Sequence, residues 1–346
     1  MQTSRRNFLA LAGATGVALG WHVEAERPPA IVKPPRLKAG DTVGLITPSG
    51  GTYSSIDIDI VRDTMEALGL KVRVGPHVLA RYGNMAGPDA DRAADVNAML
   101  RDPAVRGLVC IRGGWGGARI LPLLDYGALR ADPKVLLGYS DITALHMAVH
   151  AMTGLVTFHG PVGISKWNAF NVDWLKRVVF DGEAVTFEND KSFDVEETLV
   201  QRENRIRTLT PGTARGRLVG GNLSVFATII GSPYVPDLSN RILFLEDTKE
   251  APYRIDRMIT QLQLAGLLSR VRAFIWGTCS QCDPGEGFGS LTIEDVLHDH
   301  ITPLGVPAWY GAMIGHVEKQ FTLPIGVEVE VDAERGSIRM LEPAVR

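Results

Sequence analysis

The chain has 346 residues, with 36 Lys and Arg against 39 Asp and Glu, and its formal net charge is −3. Hydrophobic residues make up 45% and charged residues 22%, a balance that excludes a disordered chain and lacks the basic excess of a nucleic-acid-binding protein. The three cysteines are too few for a small disulfide-stapled fold, and the length allows about two domains plus a tail.

Residues 1–25 have the features of an export signal. Arg5 and Arg6 precede Asn-Phe-Leu and a short apolar stretch, as in a twin-arginine signal, and small residues that suit cleavage lie near Ala25. An amphipathic start or a transmembrane anchor is the alternative, but the apolar run is too short to cross about 30 Å of hydrocarbon. We therefore expect export, for example to the periplasm, with a cytoplasmic location as the alternative and no membrane span. A Pro-rich spacer follows over 26–37.

Strands and helices alternate through the segment 38–167. Hydrophobic spacing predicts strands over 41–47, 71–74, 107–111 and 135–138, and helices over 56–68, 89–100, 118–124 and 142–152. In the second of these helices, Arg92, Asp95 and Asn97 are expected on the polar side. The alternation predicts an N-terminal α/β domain with a parallel sheet and helices on both faces.

The segment 168–204 is mostly polar, with one possible short helix over 174–180, and we interpret it as a linker. The pattern then resumes in the segment 205–346, which we predict to be a smaller C-terminal α/β domain. Its predicted elements are strands over 215–222, 241–245, 273–277 and 307–314, helices over 223–230, 254–267 and 293–300, and a closing hairpin of 327–331 and 337–341.

Polar residues follow four of the predicted strands. They are the loop 112–117, Ser140-Asp141, Glu246-Asp247 and Gly315-His316. In open parallel sheets, ligands bind beyond the carboxyl ends of the strands, so these segments are candidates for one shared site.

Ser140 lies between a predicted strand and a predicted helix. A serine at such a turn can present its hydroxyl near the free N–H groups of the helix start, which suits a nucleophile. The simpler local interpretation is that Ser140 or Asp141 only caps the helix. The segment is not the G-x-S-x-G nucleophile elbow, because Ile142 replaces the second glycine, and an ordinary α/β-hydrolase is therefore excluded.

The loop Gly113–Gly117 leaves backbone N–H groups uncovered, so it could bind an oxyanion, a carboxylate or a phosphate, or form only a tight turn. It matches neither the P-loop nor the dinucleotide-binding pattern. Glu246 could orient a histidine or pair with Arg254 or Arg257.

Among the histidines, His316 follows an apolar strand and a glycine, which is where a catalytic base would lie. His159 could border a site. His146 and His150 share a helix face without a nearby carboxylate pattern, and we interpret them as core or surface residues.

Cys279 and Cys282 form an isolated C-x-x-C pair. A structural zinc site needs four ligands, which the surrounding sequence does not supply, so we expect no metal there. In an exported protein the pair could form a strained disulfide or stay free, and its role is open.

Six segments, in order from about residue 38 to 330, together resemble the serine LD-carboxypeptidases, a family whose relatives include the microcin-immunity peptidases. The segments are Ile46-Thr-Pro-Ser-Gly50, Arg112-Gly-Gly-Trp-Gly116, Gly138-Tyr-Ser-Asp-Ile-Thr143, Gly220-Gly-Asn-Leu223, Leu245-Glu-Asp247, and Gly315-His316 with Leu323-Pro-Ile-Gly326. Trp115 stands where tyrosine is common in the family, a difference expected to affect only the lip of the site.

The resemblance implies a flavodoxin-like N-terminal sheet domain, a smaller C-terminal α/β domain and a site at their interface. It implies a triad of Ser140, Glu246 and His316, with the oxyanion held between the N–H of Asp141 and one from Gly113-Gly114. The implied reaction is hydrolysis of the L,D-peptide bond to the terminal D-Ala of peptidoglycan tetrapeptides. The implied partner is a muropeptide; no cofactor or nucleic acid is needed, and a homodimer is possible.

Two alternatives stay open. The first is a related serine peptidase or amidase that cleaves another peptide-like amide, such as a peptidyl-nucleotide antibiotic or a cyanophycin-like dipeptide. The second is a non-catalytic muropeptide-binding protein. Family members that recycle cell wall often act in the cytoplasm, whereas the export signal here indicates trimming of periplasmic wall peptides.

Overall fold

The computed structural model describes residues 29–190, 199–201, 203–284 and 289–346. The predicted export signal lies outside the described residues. None of the helices within these ranges is both long and apolar enough to cross a membrane.

Five parallel strands form the core of the first sheet: β1 (Thr42–Ile46), β2 (Lys71–Val74), β3 (Val105–Cys110), β4 (Val135–Gly138) and β5 (Thr157–His159). The helices of this domain are α1 (Ser55–Ala67), α2 (Asp89–Arg101), α3 (Tyr126–Ala131) and α4 (Thr143–Thr153). The spatial order β2-β1-β3-β4-β5 is the flavodoxin-like order, which confirms the predicted fold class. Its topological switch point lies between β1 and β3, where such sheets bind ligands.

The connection to the second domain contains regular structure. It holds α5 (Ala169–Leu175), which runs directly into a π-helical turn (Lys176–Phe180), and a short strand, β6 (Thr186–Phe187). The helix therefore starts earlier than the segment 174–180 suggested. Residues 191–198 and 202 of the predicted linker lie outside the described residues.

The second sheet has eight strands in the described part of the chain, in the order β6-β14-β13-β8-β9-β10-β11-β7. Its strands beyond β6 are β7 (Arg207–Thr210), β8 (Thr213–Asn222), β9 (Arg241–Thr248), β10 (Ala273–Ser280), β11 (Ala308–Tyr310), β13 (Glu328–Asp332) and β14 (Ser337–Met340). Its helices are α6 (Leu223–Thr228), α7 (Pro252–Leu264) and α8 (Ile293–His300). The central strands β8 to β11 are parallel and the outer strands antiparallel, so the carboxyl ends of β8 and β9 share one edge.

One strand of the first sheet comes from the last part of the chain. β12 (Leu323–Ile325) pairs antiparallel with β5, with Leu323 opposite His159, so a late segment of the chain closes the first sheet. The preceding residues, including His316, are thereby carried to the carboxyl edge of that sheet. The sequence did not predict β12, because three residues are too short for a visible alternation.

Two side chains of α2 were wrongly placed on its polar side. Arg92 and Asp95 are buried, with 1% and 3% exposure. Arg92 donates to the carbonyl oxygens of Pro48 and Gly116, which holds together the loops that follow β1 and β3. Asp95 accepts a hydrogen bond from the backbone N–H of His77. These polar groups are tolerated inside because loops supply their partners.

Two further predictions differ in detail. The predicted helix over 118–124 is a 3₁₀-helix (Gly117–Leu123), which contains Pro122. The predicted strand over 307–314 ends at Tyr310, because Gly311 has a φ of 92° and turns the chain.

Candidate active site

β4 delivers Ser140 to the carboxyl edge of the first sheet. Ser140 begins a 3₁₀-helix (Ser140–Ile142) that continues into α4, and its φ is 64°. A left-handed conformation costs a non-glycine residue about 1–2 kcal/mol, so the surrounding packing has to hold it. Gly113 allows the loop after β3 to approach, because a Cβ there would lie 2.8 Å from the Cβ of Ser140.

Three of the predicted site residues form one hydrogen-bonded chain. Ser140 Oγ lies 3.1 Å from His316 Nε2, and His316 Nδ1 lies 2.7 Å from Glu246 Oε2. An ionised carboxylate only accepts, so Nδ1 donates to Glu246 and Nε2 is left to accept from the Ser140 hydroxyl. In this arrangement a histidine can take the proton of a serine. Arg254, considered as a partner of Glu246, instead lies 3.7 Å from Glu250.

Gly315 is required where it stands, because its φ is 88° and a Cβ would overlap the carboxylate of Glu246. We expect Gly315→Ala to lower the unfolding free energy by about 2 kcal/mol or more and to displace Glu246 from His316. Denaturant unfolding measures the first effect and hydrolysis of peptide substrates the second.

Gly305→Ala is the matched control, because Gly305 also has a positive φ, of 64°, but open space around it. It should cost only the backbone strain, about 1 kcal/mol, with activity retained. Equal losses of stability and activity in the two variants would contradict the steric argument.

Two neighbouring histidines have opposite pKa shifts. Burial favours the neutral ring of His316, but the hydrogen bond and charge of Glu246, together with the charge of Asp247, outweigh it and raise the pKa of His316. Burial, with the charges of His146 and His316, lowers the pKa of His159 well below its ordinary value. His316 is therefore suited to accept a proton, while His159 stays neutral.

His159 and Tyr139 form the wall behind these groups. His159 is fully buried, and its Nε2 lies 3.9 Å from Glu246 Oε1; neither atom has a hydrogen-bond partner among the described residues. The ring of Tyr139 packs edge-on against His316, with 4.9 Å between centroids. These contacts restrict the movement of the imidazole. The sequence indicated that His159 could border a site but not that Tyr139, one residue before Ser140, would contact His316.

Neither Ser140 nor Asp141 caps a helix. The capping residues of the 3₁₀-helix and of α4 are Tyr139 and Ile142, and neither makes a side-chain capping bond. The buried carboxyl of Asp141 instead accepts the N–H of Gly117 at 2.7 Å, and burial raises the pKa of Asp141. Asp141 thus anchors the far end of the glycine loop.

The end of β8, Gly220-Gly-Asn222, contacts the first domain beside Ser140. The N–H of Asn222 donates to Thr143 Oγ1 at 2.8 Å, and a Cβ on Gly221 would overlap the Thr143 side chain. Asn222 also donates to Asp247 Oδ1 at 3.1 Å, and burial together with the charge of Glu246 raises the pKa of Asp247 to about 6. This network holds the ends of β8 and β9 against the start of α4, so that Glu246 faces the first domain.

Two adjacent cavities share Tyr139, Ser165 and His316 as lining residues. We call the first the nucleophile pocket; it has a volume of about 230 Å³ and is also lined by Arg112, Gly113, Gly114, Ser140, Val162 and Ile164. We call the second the outer cleft; it has a volume of about 360 Å³, and its lining includes Lys166, Thr248, Lys249, Ser280, Gln281 and Glu318. The glycines predicted to bind the oxyanion therefore line the same pocket as Ser140, the predicted nucleophile.

Cys279 and Cys282 are joined by a disulfide, which resolves the choice between a bridge and free thiols. The bridged turn carries Ser280 and Gln281 to the outer cleft, and Ser280 O accepts the N–H of Lys249 at 2.9 Å. The disulfide thus shapes one lip of the cleft. The described residues contain no group of three or more His, Cys, Asp or Glu side chains that could hold a metal ion.

Comparison with known families identifies both halves of the chain. Residues 43–160 match the N-terminal domain of LD-carboxypeptidases and residues 215–331 match the C-terminal domain. The chain belongs to the LD-carboxypeptidase family. Ser140 lies in the first matched segment, and Glu246 and His316 lie in the second.

Relatives of this LD-carboxypeptidase cover most of its length. It is 37% identical over 307 residues to a Bacillus subtilis protein described as "Probable murein peptide carboxypeptidase", covering 88% of this chain and 93% of the relative. The solved structure of the microcin C7 self-immunity protein, known from Escherichia coli, matches with a TM-score of 0.81 at 25% identity, covering 91% of this chain and 100% of the other. A muramoyltetrapeptide carboxypeptidase from Oxalobacter formigenes matches with a TM-score of 0.73 at 26% identity, covering 86% and 97%.

These similarities confirm the resemblance found in the sequence and the predicted enzyme class, a serine-type carboxypeptidase and therefore a hydrolase. The alternative of a non-catalytic binding protein is set aside. The roles of the individual site residues and the boundaries of the domains stay predictions.

Proposed function

We propose that this LD-carboxypeptidase removes the terminal D-Ala from peptidoglycan tetrapeptides, with Ser140, Glu246 and His316 as its catalytic triad. The observation that carries the proposal is the unbroken hydrogen-bond chain from Ser140 Oγ through His316 to Glu246. Two relatives whose names refer to murein or muramoyl peptides support the substrate class.

In the first half of the proposed reaction, Ser140 Oγ attacks the carbonyl carbon of the L,D-peptide bond while His316 Nε2 takes its proton. The carbonyl electron pair moves onto oxygen and forms a tetrahedral intermediate. When this collapses, the C–N bond breaks, and His316 gives the proton to the leaving amine of D-Ala. Water then hydrolyses the ester on Ser140 by the same route, releasing the shortened peptide. Glu246 keeps His316 in the correct tautomer and stabilises its protonated form.

Two backbone N–H groups near Ser140 are the proposed donors to the oxyanion. Gly113 O accepts the N–H of Gly50 at 3.0 Å, and in a trans peptide the N–H of Gly114 points the opposite way, away from Gly50. Asp141 contributes the N–H directly after the nucleophile, at the start of a helical segment where such donors are free. Together these support the proposed oxyanion site between Asp141 and Gly113-Gly114.

A second candidate function is the cleavage of another peptide-like amide, such as one joining a peptide to a nucleotide. The similarity to the microcin C7 self-immunity protein, with a TM-score of 0.81, favours it, because solved structures of that protein contain aminoacyl sulfamoyl nucleosides.

Mass analysis of sacculus peptides incubated with the mature protein separates the two functions. We expect tetrapeptides to lose the mass of one alanine residue and tripeptides to accumulate. Unchanged tetrapeptides combined with cleavage of aminoacyl or peptidyl sulfamoyl nucleosides would overturn the proposal in favour of the second function.

We also propose that the protein is exported. The Arg5-Arg6 signal supports this, and so does the Cys279–Cys282 disulfide, because disulfides persist mainly in oxidising compartments. When the full-length chain is expressed, cell fractionation should find the protein outside the cytoplasm, shortened by cleavage near Ala25 and with the bridge oxidised. Replacement of both arginines by lysine should retain it inside. An unaltered distribution in that variant would contradict export through this signal.

A further inference from the structure

A cationic side chain that has no anionic partner among the described residues lines the nucleophile pocket beside Ser140. Arg112 follows β3, and its Nη1 donates to the carbonyl oxygen of Gly51 at 2.9 Å. Within the ranges that the structure describes, its buried Nε has no hydrogen-bond partner, and no carboxylate lies within 4.0 Å of its guanidinium. Within the described part of the chain, its charge is therefore not compensated by an ion pair, and its Nε is a donor without an acceptor.

Two other arginines of this region have anionic partners. Arg92 and Arg119 both pair with Asp89, so their charges are compensated within the fold. A partly buried cation that lacks such a partner loses hydration without gaining an ion pair, and an anionic ligand group would restore the balance.

The two cavities differ in volume and charge, and each suits a different part of the substrate. The nucleophile pocket combines Arg112 with the apolar side chains of Val162 and Ile164 in about 230 Å³, which suits a small residue that ends in a carboxylate. The outer cleft, of about 360 Å³, carries both signs of charge, including Lys249 and Glu318, which suits the larger acyl part of a branched, zwitterionic peptide.

We propose that Arg112 binds the terminal carboxylate of the leaving amino acid and thereby restricts cleavage to the last peptide bond. This assignment rests on the proposed function, since it requires a peptide that ends in a free carboxylate. Guanidinium and carboxylate form paired N–H···O bonds of fixed geometry, so the contact would set the distance from the chain end to Ser140. A peptide that extends beyond the pocket, or ends in an amide, loses this contact.

The test compares a tetrapeptide that ends in D-Ala with the same peptide ending in D-alaninamide. The wild type should prefer the free acid about 10- to 100-fold in kcat/KM, the range of a charged hydrogen-bonded contact. In Arg112→Gln, kcat/KM for the acid should fall by that factor, mainly through a higher KM, whereas kcat/KM for the amide should change less than about 3-fold. Arg112→Lys, which keeps the charge without the planar fork, should fall between the two.

Arg81→Gln is the matched control, because Arg81 stacks on the ring of Tyr53, which Arg112 also approaches, but does not line the pocket. It should keep the wild-type preference for the acid. Labelling of Ser140 by a fluorophosphonate, which has no carboxylate, should proceed at the wild-type rate in Arg112→Gln and shows that the site is still folded.

The outcomes separate this assignment from the proposed function. Two results would overturn the assignment alone, provided that the wild type releases D-Ala. In the first, Arg112→Gln keeps the preference for the acid. In the second, its kcat/KM falls equally for the acid and the amide while the fluorophosphonate still labels Ser140. If the wild type cleaves neither peptide, the proposed function fails and the assignment fails with it.

Discussion

Replacement of Ser140 by alanine is expected to reduce kcat for D-Ala release by at least about 10⁴-fold. The Oγ atom is the group that His316 would deprotonate, and without it no acyl-enzyme can form. Fluorophosphonate labelling should also disappear. The thermal unfolding midpoint should stay close to that of the wild type, because alanine and serine bear a similar penalty for the φ of 64°.

Ser140→Gly is the informative companion variant. Glycine adopts a positive φ without the steric penalty of a Cβ, so this variant should be more stable than Ser140→Ala by about 1 kcal/mol, while it is equally inactive. Denaturant unfolding measures the difference. Release of D-Ala by either variant at more than about one hundredth of the wild-type rate would contradict Ser140 as the nucleophile.

Glu246→Gln is expected to lower kcat by about 10⁴-fold, the effect known for loss of the charge that orients a triad histidine, and to shift the pH profile. His316 acts as a base only when neutral, so the rate falls as the pH drops through its pKa, which Glu246 raises above the ordinary value. Without that carboxylate, burial favours the neutral ring and the pKa falls. The acid limb of kcat/KM should therefore move to lower pH, measured on the residual activity.

Asp247→Asn is the control for this shift. Asp247 contributes charge to His316 but makes no hydrogen bond to it, and its own partners are Asn222, Ser224 and Thr248. The acid limb should move in the same direction by a smaller amount, with kcat reduced far less than in Glu246→Gln. An acid limb that stays in place in Glu246→Gln would show that Glu246 does not govern the protonation of His316.

The sequence indicated each member of the candidate site through its local setting. An apolar run followed by a glycine or a turn marked Ser140, Glu246 and His316 as residues at strand ends, and the parallel alternation placed such ends at one edge of a sheet. The same local setting left Glu246 free to pair with Arg254 or Arg257, because the distance between two elements is not a property of either one. In the sequence, only the order of the six motifs indicated that Ser140, Glu246 and His316 belong to one site.

The residues that the sequence missed depend on contacts between distant segments. Arg92 has the pattern of a surface residue on α2 and is buried, because the loops after β1 and β3 offer carbonyl oxygens to it. Tyr139 contacts His316 only because β12 pairs with β5 and brings the late segment over the first sheet. Arg112 was noted only as the start of a glycine loop, and its unpaired charge is visible only among its neighbours.

By itself, the sequence therefore determined the fold class, the family and the identity of the candidate triad, because hydrophobic periodicity and motif order are properties of the linear chain. The tertiary structure alone decided that Ser140 and His316, 176 residues apart, meet at 3.1 Å. It also decided that Cys279 and Cys282 are bridged and that Arg112 lines the pocket with no carboxylate of the described residues paired to it. These features depend on packing between elements that are distant in the sequence. The burial of a residue and the partners of its charge are set by neighbours that the local sequence does not show.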